Sequence, residues 1–112
     1  MRLLEIRSYE LKPGTRAEYD RLFREEAAPL LRRFEIDVVA VAPSAGDANG
    51  YFLMRAFDDL ADRARREDAF YASPEWRQGP RQAVLDCIVT YTDAVFELPD
   101  EVVEALRSAL AR

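Results

Sequence analysis

The sequence of 112 residues contains no histidine and a single cysteine. Without histidine, the chain lacks the commonest metal ligand, the commonest general base near neutral pH and the proximal ligand of haem. Cys87 cannot form an internal disulfide, which is typical of a protein from a reducing compartment. Any chemistry must therefore depend on Tyr, Asp, Glu, Arg, the lone thiol or the ligand itself, and we expect neither a metal nor another cofactor.

Long apolar runs and basic clusters are also missing. No apolar run approaches the roughly 20 residues that a membrane span needs, and the N-terminal residues alternate like a strand instead of forming a signal peptide. These features predict a cytoplasmic protein without a membrane partner. The net charge is -5 and the arginines are interleaved with acidic residues, which argues against nucleic-acid binding.

What is present is the composition of an ordinary globular domain, with 49% hydrophobic and 33% charged residues. A chain of this length buries roughly two thirds of the surface that it exposes when unfolded. We predict one domain over residues 1–98, followed by a C-terminal helical extension over residues 99–112.

The first part of the chain has the pattern of a strand followed by a long helix. Residues 3–11 alternate, so that Leu4 and Ile6 point to one face while Glu5, Arg7 and Tyr9 point to the other. Thr15 and Glu18 then have the spacing of a capping box, and apolar residues follow at intervals of three and four up to Phe34. Within this helix, Pro29 predicts a kink. The kink either wraps the helix over the sheet or makes room for a pocket.

The remaining chain predicts three more strands and four more helices, one of which is a short stretch after Gly79-Pro80 that ends near Leu85. Strands over 36–42 and 51–57 are separated by the turn sequence PSAGDANG. A helix capped by Asp58 or Asp59 follows, and its polar side, which runs from Asp62 to Asp68, has the pattern of a solvated surface. Ser73 caps a short helix containing Trp76, a last strand covers 87–98, and Asp100 caps a terminal helix with an apolar stripe.

The order βαββαβ predicts a ferredoxin-like α+β subunit, with helices on one face of an antiparallel sheet. We expect the odd-numbered residues of the strands to form the other, bare face, and this face to pair with a second copy in a homodimer. The residues assigned to this face are Glu5, Arg7, Tyr9, Tyr51, Leu53, Arg55, Phe57, Val89, Tyr91, Asp93 and Val95.

Several stretches, in the same order over residues 3–97, resemble the NIPSNAP family: EIRSYELKPGT, PLL, GD, FDDLADRARR and SPEW. The resemblance implies the dimeric α/β barrel superfamily, in which two ferredoxin-like subunits join their sheets. Relatives there include cofactor-free monooxygenases, isomerases and haem-degrading enzymes, but the NIPSNAP branch implies no activity of its own. The haem-degrading relatives use a histidine ligand, which this chain cannot supply.

Candidate functional residues lie on the same strand faces. Two interpretations apply to Glu5, Arg7, Tyr9 and Arg55. They either line a ligand cavity, with arginine holding an anionic or enolic oxygen, or form paired charges and hydroxyls buried at the dimer interface. Asp93, with Tyr91 beside it, is a candidate for removing a proton from an acidic carbon. The alternative for Asp93 is a cross-strand ion pair with an arginine.

Two aromatic residues complete the candidate site. Trp76 either closes the mouth of a pocket between helices and sheet or anchors its short helix to the core, and Tyr51 is a further candidate ligand contact. Two functions follow as hypotheses. One is a cofactor-independent enzyme acting on a hydrophobic, aromatic or polyketide-like molecule, and the other is a non-catalytic ligand-binding or stress-related interaction protein.

Overall fold

The fold is taken from a computed structural model that describes residues 1–111. Its four strands are β1 (Arg2–Leu11), β2 (Asp37–Pro43), β3 (Gly50–Phe57) and β4 (Ile88–Leu98). The helices between β1 and β2 are α1 (Arg16–Leu22), a π-helical turn (Phe23–Ala27) and α2 (Ala28–Arg33). Between β3 and β4 lie α3 (Leu60–Ala72), α4 (Pro74–Arg77) and α5 (Arg81–Cys87), and α6 (Asp100–Ala109) follows β4.

The strands form one antiparallel sheet in the order β2-β3-β1-β4. This order and the βαββαβ chain order confirm the predicted ferredoxin-like α+β fold. Across the central strands, Tyr9 pairs with Tyr51 on one side and with Tyr91 on the other. Glu5 pairs with Arg55, and Arg7 pairs with Asp93. The residues that were predicted to share a face therefore do share one, except Val89, because the register shifts there and Leu11 pairs with Ile88.

That face is the one covered by the helices, so its assignment to the bare side of the sheet was wrong. Leu3, Tyr9 and Leu11 of β1 pack into the main core against aromatic residues of the helices, including Tyr19 and Phe70. Alternation along a strand determines which residues share a face, but it does not determine which face the helices cover.

The even-numbered face is not bare either, because α6 packs against part of it. Leu4 of β1 and Val103 of α6 are both completely buried in a second, smaller core. Ile6 and Met54 are partly buried beside them. The rest of this face, towards β4, is open, and Phe96 is 41% exposed there.

The structure confirms two of the predicted helix N-caps and contradicts two others. Asp59 accepts a hydrogen bond from the Asp62 backbone at 2.7 Å, and Ser73 accepts one from the Trp76 backbone at 3.2 Å, so both caps are confirmed. The hydroxyl of Thr15 instead donates to the Lys12 carbonyl, and its side chain caps nothing. The capping box was therefore wrong, and so was the cap at Asp100, because Pro99 occupies the N-cap position of α6.

The predicted irregularity at Pro29 takes the form of a π-helical turn. Pro29 lies at the start of α2, directly after this turn, in which the Ala28 backbone donates to the Phe23 carbonyl five residues earlier. Local π adjustments of this kind compensate for the donor that proline lacks.

Among the helices of residues 1–111, none has both the length and the apolar composition that crossing a membrane requires.

Candidate functional site

An ion pair with no solvent exposure lies between the sheet and α3. Glu5 and Arg55 are direct partners across β1 and β3, and both are 0% exposed. Arg55 Nε donates to Glu5 Oε1 at 2.7 Å, and Arg63 Nε of α3 donates to Glu5 Oε2 at 2.7 Å. Because each carboxylate oxygen has a charged donor, the cost of burying Glu5 is offset.

Glu67, one helical turn after Arg63, contacts the same arginines at longer distances. Glu67 Oε2 lies 3.3 Å from Arg55 Nη2 and 3.4 Å from Arg63 Nε. Glu67 Oε1 lies 3.8 Å from Arg7 Nη2. We call this group of side chains the charge cluster; it comprises Glu5, Arg7, Arg55, Arg63, Glu67 and Asp93. The side chain of Glu67 is 13% exposed, so it lies at the boundary of the charge cluster.

The two glutamates titrate in opposite directions. Burial alone would raise the pKa of Glu5, but the hydrogen bond with Glu67 and the two arginines lower it to about 2. Burial and the hydrogen bond with Glu5 raise the pKa of Glu67 to about 7, against the opposing effect of Arg55 and Arg63. When two carboxylates lie together, one remains ionised and the other holds its proton more tightly.

Arg7 connects this cluster to β4. Its Nε and Nη2 donate to the two carboxylate oxygens of Asp93 at 2.7 and 3.3 Å, a bidentate pair across neighbouring strands. The guanidinium carbon of Arg7 lies 4.4 Å from the ring centroid of Tyr91, within the range of a cation–π contact. The cross-strand ion pair that the sequence offered for Asp93 is therefore present.

The hydroxyl of Tyr71 on α3 accepts hydrogen bonds from two arginines. Arg55 Nη1 donates to it at 3.0 Å and Arg7 Nη1 at 3.2 Å. Both arginines are donors only, so the proton of the Tyr71 hydroxyl is not used in these contacts. Within residues 1–111 no acceptor for this proton is found.

A cavity of about 440 Å³ opens beside this cluster, between the sheet and helices α3 to α5. Its aromatic wall is formed by Tyr9, Tyr71, Trp76 and Tyr91. The other lining residues are charged or aliphatic: Arg7, Glu67, Asp68, Arg77, Arg81, Val84, Leu85 and Ile88. A second cavity of about 30 Å³ lies deeper, shares the Tyr9, Tyr71 and Trp76 wall, and borders Arg55.

The structure brings together four of the seven predicted site residues around the larger cavity: Arg7, Tyr9, Trp76 and Tyr91. Arg55 borders only the smaller cavity, and Asp93 lies behind Arg7. Tyr51 is 1% exposed and lies apart from both cavities, with its ring 5.1 Å from that of Tyr19 and its hydroxyl bonded to Asp20.

Trp76 anchors its short helix to the core, as one of its two interpretations predicts. It is 7% exposed and packs against Phe70 and Tyr71, with ring centroids 5.1 and 5.7 Å away, so it anchors α4 to the core. The same side chain borders both cavities.

Sequence reasoning missed Arg63, Glu67 and Tyr71, because the polar side of α3 was expected to be solvated. These residues are spaced by four and so lie on one side of the helix, next to the buried Phe70. Their spacing relative to the apolar Phe70 is the sequence pattern that could have indicated that this side of α3 faces the sheet. The expectation was wrong for Asp62 as well, which is 4% exposed and accepts hydrogen bonds from Arg65 and Arg66.

A larger groove of about 510 Å³ runs along the outer strand β2. Two of its arginines are already paired, Arg24 with Asp20 and Arg107 with Asp37. The cavity between the sheet and helices α3 to α5, called the α3 cavity below, has a cluster of aromatic lining residues, and the groove lacks one. Phe23 is the aromatic residue in the groove lining. The α3 cavity is therefore the stronger candidate for a small-molecule site.

Comparison with known proteins gives a consistent relationship. The family model described as NIPSNAP matches residues 4–95. A NIPSNAP-like domain protein from Burkholderia xenovorans is 24% identical with a TM-score of 0.81, over 88% of this chain and 86% of that one. A NIPSNAP family protein of unknown function from Agrobacterium tumefaciens is 26% identical with a TM-score of 0.79, over 87% of each chain.

A more distant structure shares the fold alone. It is a putative antibiotic biosynthesis monooxygenase from Nitrosomonas europaea, 15% identical with a TM-score of 0.67, over 88% of this chain and 91% of that one. A search of curated protein sequences found no match.

Proposed function

The chain belongs to the NIPSNAP family, and from this premise we propose that it binds a small, mainly aromatic or apolar molecule carrying an acidic group. The binding site is the cavity between the sheet and helices α3 to α5. The observation that carries this proposal is that an aromatic wall and three arginines, Arg7, Arg77 and Arg81, line one cavity.

The cavity has the size and lining of a ligand site. Its volume of about 440 Å³ lies within the range of roughly 300 to 1,000 Å³ that is typical of small-molecule sites. Tyr9, Tyr71, Trp76 and Tyr91 offer ring faces and edges against which an aromatic ligand packs.

The arginines at the opening supply the charge preference. Arg77 and Arg81 make no side-chain hydrogen bond or ion pair with any residue in the described range 1–111. Buried Arg7, by contrast, is held by Asp93 and Tyr71. Arginines without an acidic partner at the mouth of an aromatic cavity favour a carboxylate or enolate, which guanidinium groups bind in a bidentate manner.

We propose further that the protein is a homodimer joined through the open part of the other sheet face. β4 is an outer strand, and on this face its Phe96, the partner of Leu4, is 41% exposed. Exposed apolar surface on a long outer strand is typical of an interaction surface. A second copy that covers this face leaves the cavity on the helix side accessible.

The proposed function includes a cofactor-independent reaction on the bound molecule, with a non-catalytic ligand-binding protein as the alternative. The likeness to the monooxygenase from Nitrosomonas europaea is one of fold, so it does not choose between them. The charged groups that border the cavity favour the reaction, because a carrier needs shape and charge complementarity but no buried carboxylate beside the ligand.

Isothermal titration calorimetry with phenylpyruvate tests the proposal. This probe combines an aromatic ring with a carboxylate, and we expect it to bind the wild-type protein in a salt-dependent manner. The double variant Arg77→Ala/Arg81→Ala should bind at least tenfold more weakly. The matched control is Arg32→Ala/Arg33→Ala, which removes the same charge from α2 outside this cavity and should bind normally.

Native mass spectrometry of protein purified from its own host provides an independent test. A dimer that carries an additional small mass supports both parts of the proposal.

In the calorimetry experiment, equal loss of phenylpyruvate affinity in the two double variants would contradict the assignment of the site, because nonspecific charge attraction would then explain the binding.

A further inference from the structure

Three carboxylates belong to the charge cluster, and they are held differently. Both oxygens of Glu5 accept hydrogen bonds of 2.7 Å, and Asp93 is held by a bidentate pair with Arg7. Glu67 has a hydrogen bond with Glu5, but its contacts with the arginines are longer, at 3.3 to 3.8 Å. Of the three, Glu67 is also the one that borders the cavity.

The surroundings of Glu67 make it a better base than an exposed carboxylate. Burial and the neighbouring Glu5 raise its pKa to about 7, which is close to the value at which a general base works best near neutral pH. The charged or titratable groups that face it from the packed elements are Glu5 and Arg7 of β1, Arg55 of β3, Arg63 and Tyr71 of α3, and Asp93 of β4.

We propose that Glu67 is the catalytic residue of this site and transfers a proton to and from a carbon atom next to a carbonyl group of the ligand. The inference rests on the proposed function, because it requires a ligand in the cavity. It assigns the reaction class as keto–enol isomerisation, which is redox-neutral and needs no co-reactant.

In the forward step, a carboxylate oxygen of Glu67 takes the proton and the C–H bond of the ligand breaks. The electron pair of that bond forms a carbon–carbon double bond, and the π electrons of the carbonyl move to its oxygen. Glu67 then returns its proton to the enolate oxygen, so the product is the enol and Glu67 is again ionised.

The groups needed for the developing oxyanion border the same cavity. Arg7 supplies positive charge, and the Tyr71 hydroxyl has a proton that its two arginine contacts leave available. Donors and positive charges placed where negative charge develops stabilise the transition state. Asp93 acts here as a positioning residue, because it fixes the orientation of Arg7.

Deuterium exchange at the C–H group of phenylpyruvate in D2O, followed by proton NMR, tests this assignment. The wild-type protein should accelerate the exchange above the buffer rate. Glu67→Gln should lose about 10² to 10⁴ of that acceleration, the usual contribution of a general base, while its affinity for phenylpyruvate stays within threefold. Glu67→Asp should retain part of the rate if the shorter carboxylate still reaches the ligand.

Glu26→Gln is the matched control, since Glu26 is an exposed carboxylate of the π-helical turn, lies outside the cavity and makes no ion pair within residues 1–111. It should exchange at the wild-type rate. Circular dichroism and thermal unfolding establish that each variant is folded.

The outcomes separate this inference from the proposed function. Phenylpyruvate that binds without accelerated exchange, or that exchanges equally fast with Glu67→Gln, overturns the role of Glu67 and leaves the ligand site intact. Phenylpyruvate that fails to bind the wild-type protein contradicts the proposed ligand class, and the inference falls with it.

Discussion

The two faces of one sheet are built from alternate residues of the same strands, yet they differ in chemistry. Towards the helices, β1 presents Glu5, Arg7 and Tyr9 to a charge cluster and a cavity. Towards α6, it presents Leu4 and Ile6 to a small apolar core. Because an apolar core alone would be enough for stability, the buried charge on the helix side supports our proposal that this face binds the ligand.

The sharpest way to break this contrast is to remove one partner of the buried ion pair. Arg55→Met should lower the free energy of unfolding by about 3 to 5 kcal/mol, since Glu5 loses one of its two charged donors in a site without solvent. Urea unfolding measures the change. Arg65→Met is the control, because the Arg65 side chain is 69% exposed and its pair with Asp62 is worth about 0 to 1 kcal/mol.

A stability loss below about 1 kcal/mol for Arg55→Met would mean that the cluster does not depend on a complete set of partners.

The second prediction concerns the opposite face. Phe96→Asp places a charge on the open part of the α6 side, where Phe96 is 41% exposed, and should weaken the proposed dimer by about 2 to 4 kcal/mol. Sedimentation velocity over a dilution series measures the dissociation. Leu60→Asp, at the start of α3 on the helix side, should leave the dimer intact.

Equal dissociation in Phe96→Asp and Leu60→Asp, or a monomeric wild-type protein, would contradict a dimer joined through this face.

The third prediction uses pH, and the absence of histidine makes it unusually clean. The pKa of Glu67 rises from 4.5 to about 7 on folding, so the folded chain binds more protons than the unfolded chain within that window. The free energy of unfolding should therefore fall as the pH rises from about 4.5 to about 7, by at most about 3 kcal/mol.

Glu5 acts in the opposite sense at lower pH. Its pKa is lowered from 4.5 to about 2, so stability should rise as the pH increases through that window. Together, Glu5 and Glu67 therefore favour the greatest free energy of unfolding near pH 4.5. Thermal unfolding of the wild-type protein should show that stability declines above the pH of maximum stability, and Glu67→Gln should abolish this decline. The same decline in both proteins would contradict the assignment of the raised pKa to Glu67.

The smallest expected effect tests how the cavity wall is held. Ser73→Ala removes the side-chain cap of α4. The Ser73 hydroxyl accepts a hydrogen bond from the Trp76 backbone N–H and donates one to the Phe70 carbonyl. The loss should be about 1 kcal/mol, and Ser73→Thr should restore most of it. A change in Trp76 fluorescence that accompanies the loss would show that the cap positions the cavity wall, while unchanged fluorescence would limit it to stability.

Much of the fold could be predicted because the patterns are local. The strand alternation gave the correct grouping of Glu5 with Arg55 and of Arg7 with Asp93, and short polar residues before helices located the caps at Asp59 and Ser73. The side of the sheet that the helices cover is not local, since it depends on how the connections cross the sheet.

The charge cluster was harder to predict for a related reason. Arg63 and Glu67 have the sequence appearance of an exposed i, i+4 pair. They are partly buried because a strand residue, Glu5, lies opposite them at a separation of 58 residues from Arg63. No local pattern in α3 indicates that neighbour, so the candidate proton carrier could be found only from the packed structure.

The most direct test of ligand binding on the helix side of the sheet follows one reporter residue on each face during a phenylpyruvate titration. Trp76, the one tryptophan of the chain, borders the cavity, and Met54 lies on the opposite face. In NMR spectra, we expect the Trp76 indole N–H resonance to shift to saturation while the Met54 methyl resonance stays in place. A shift of Met54 with Trp76 unchanged would place the ligand on the α6 side and contradict the account.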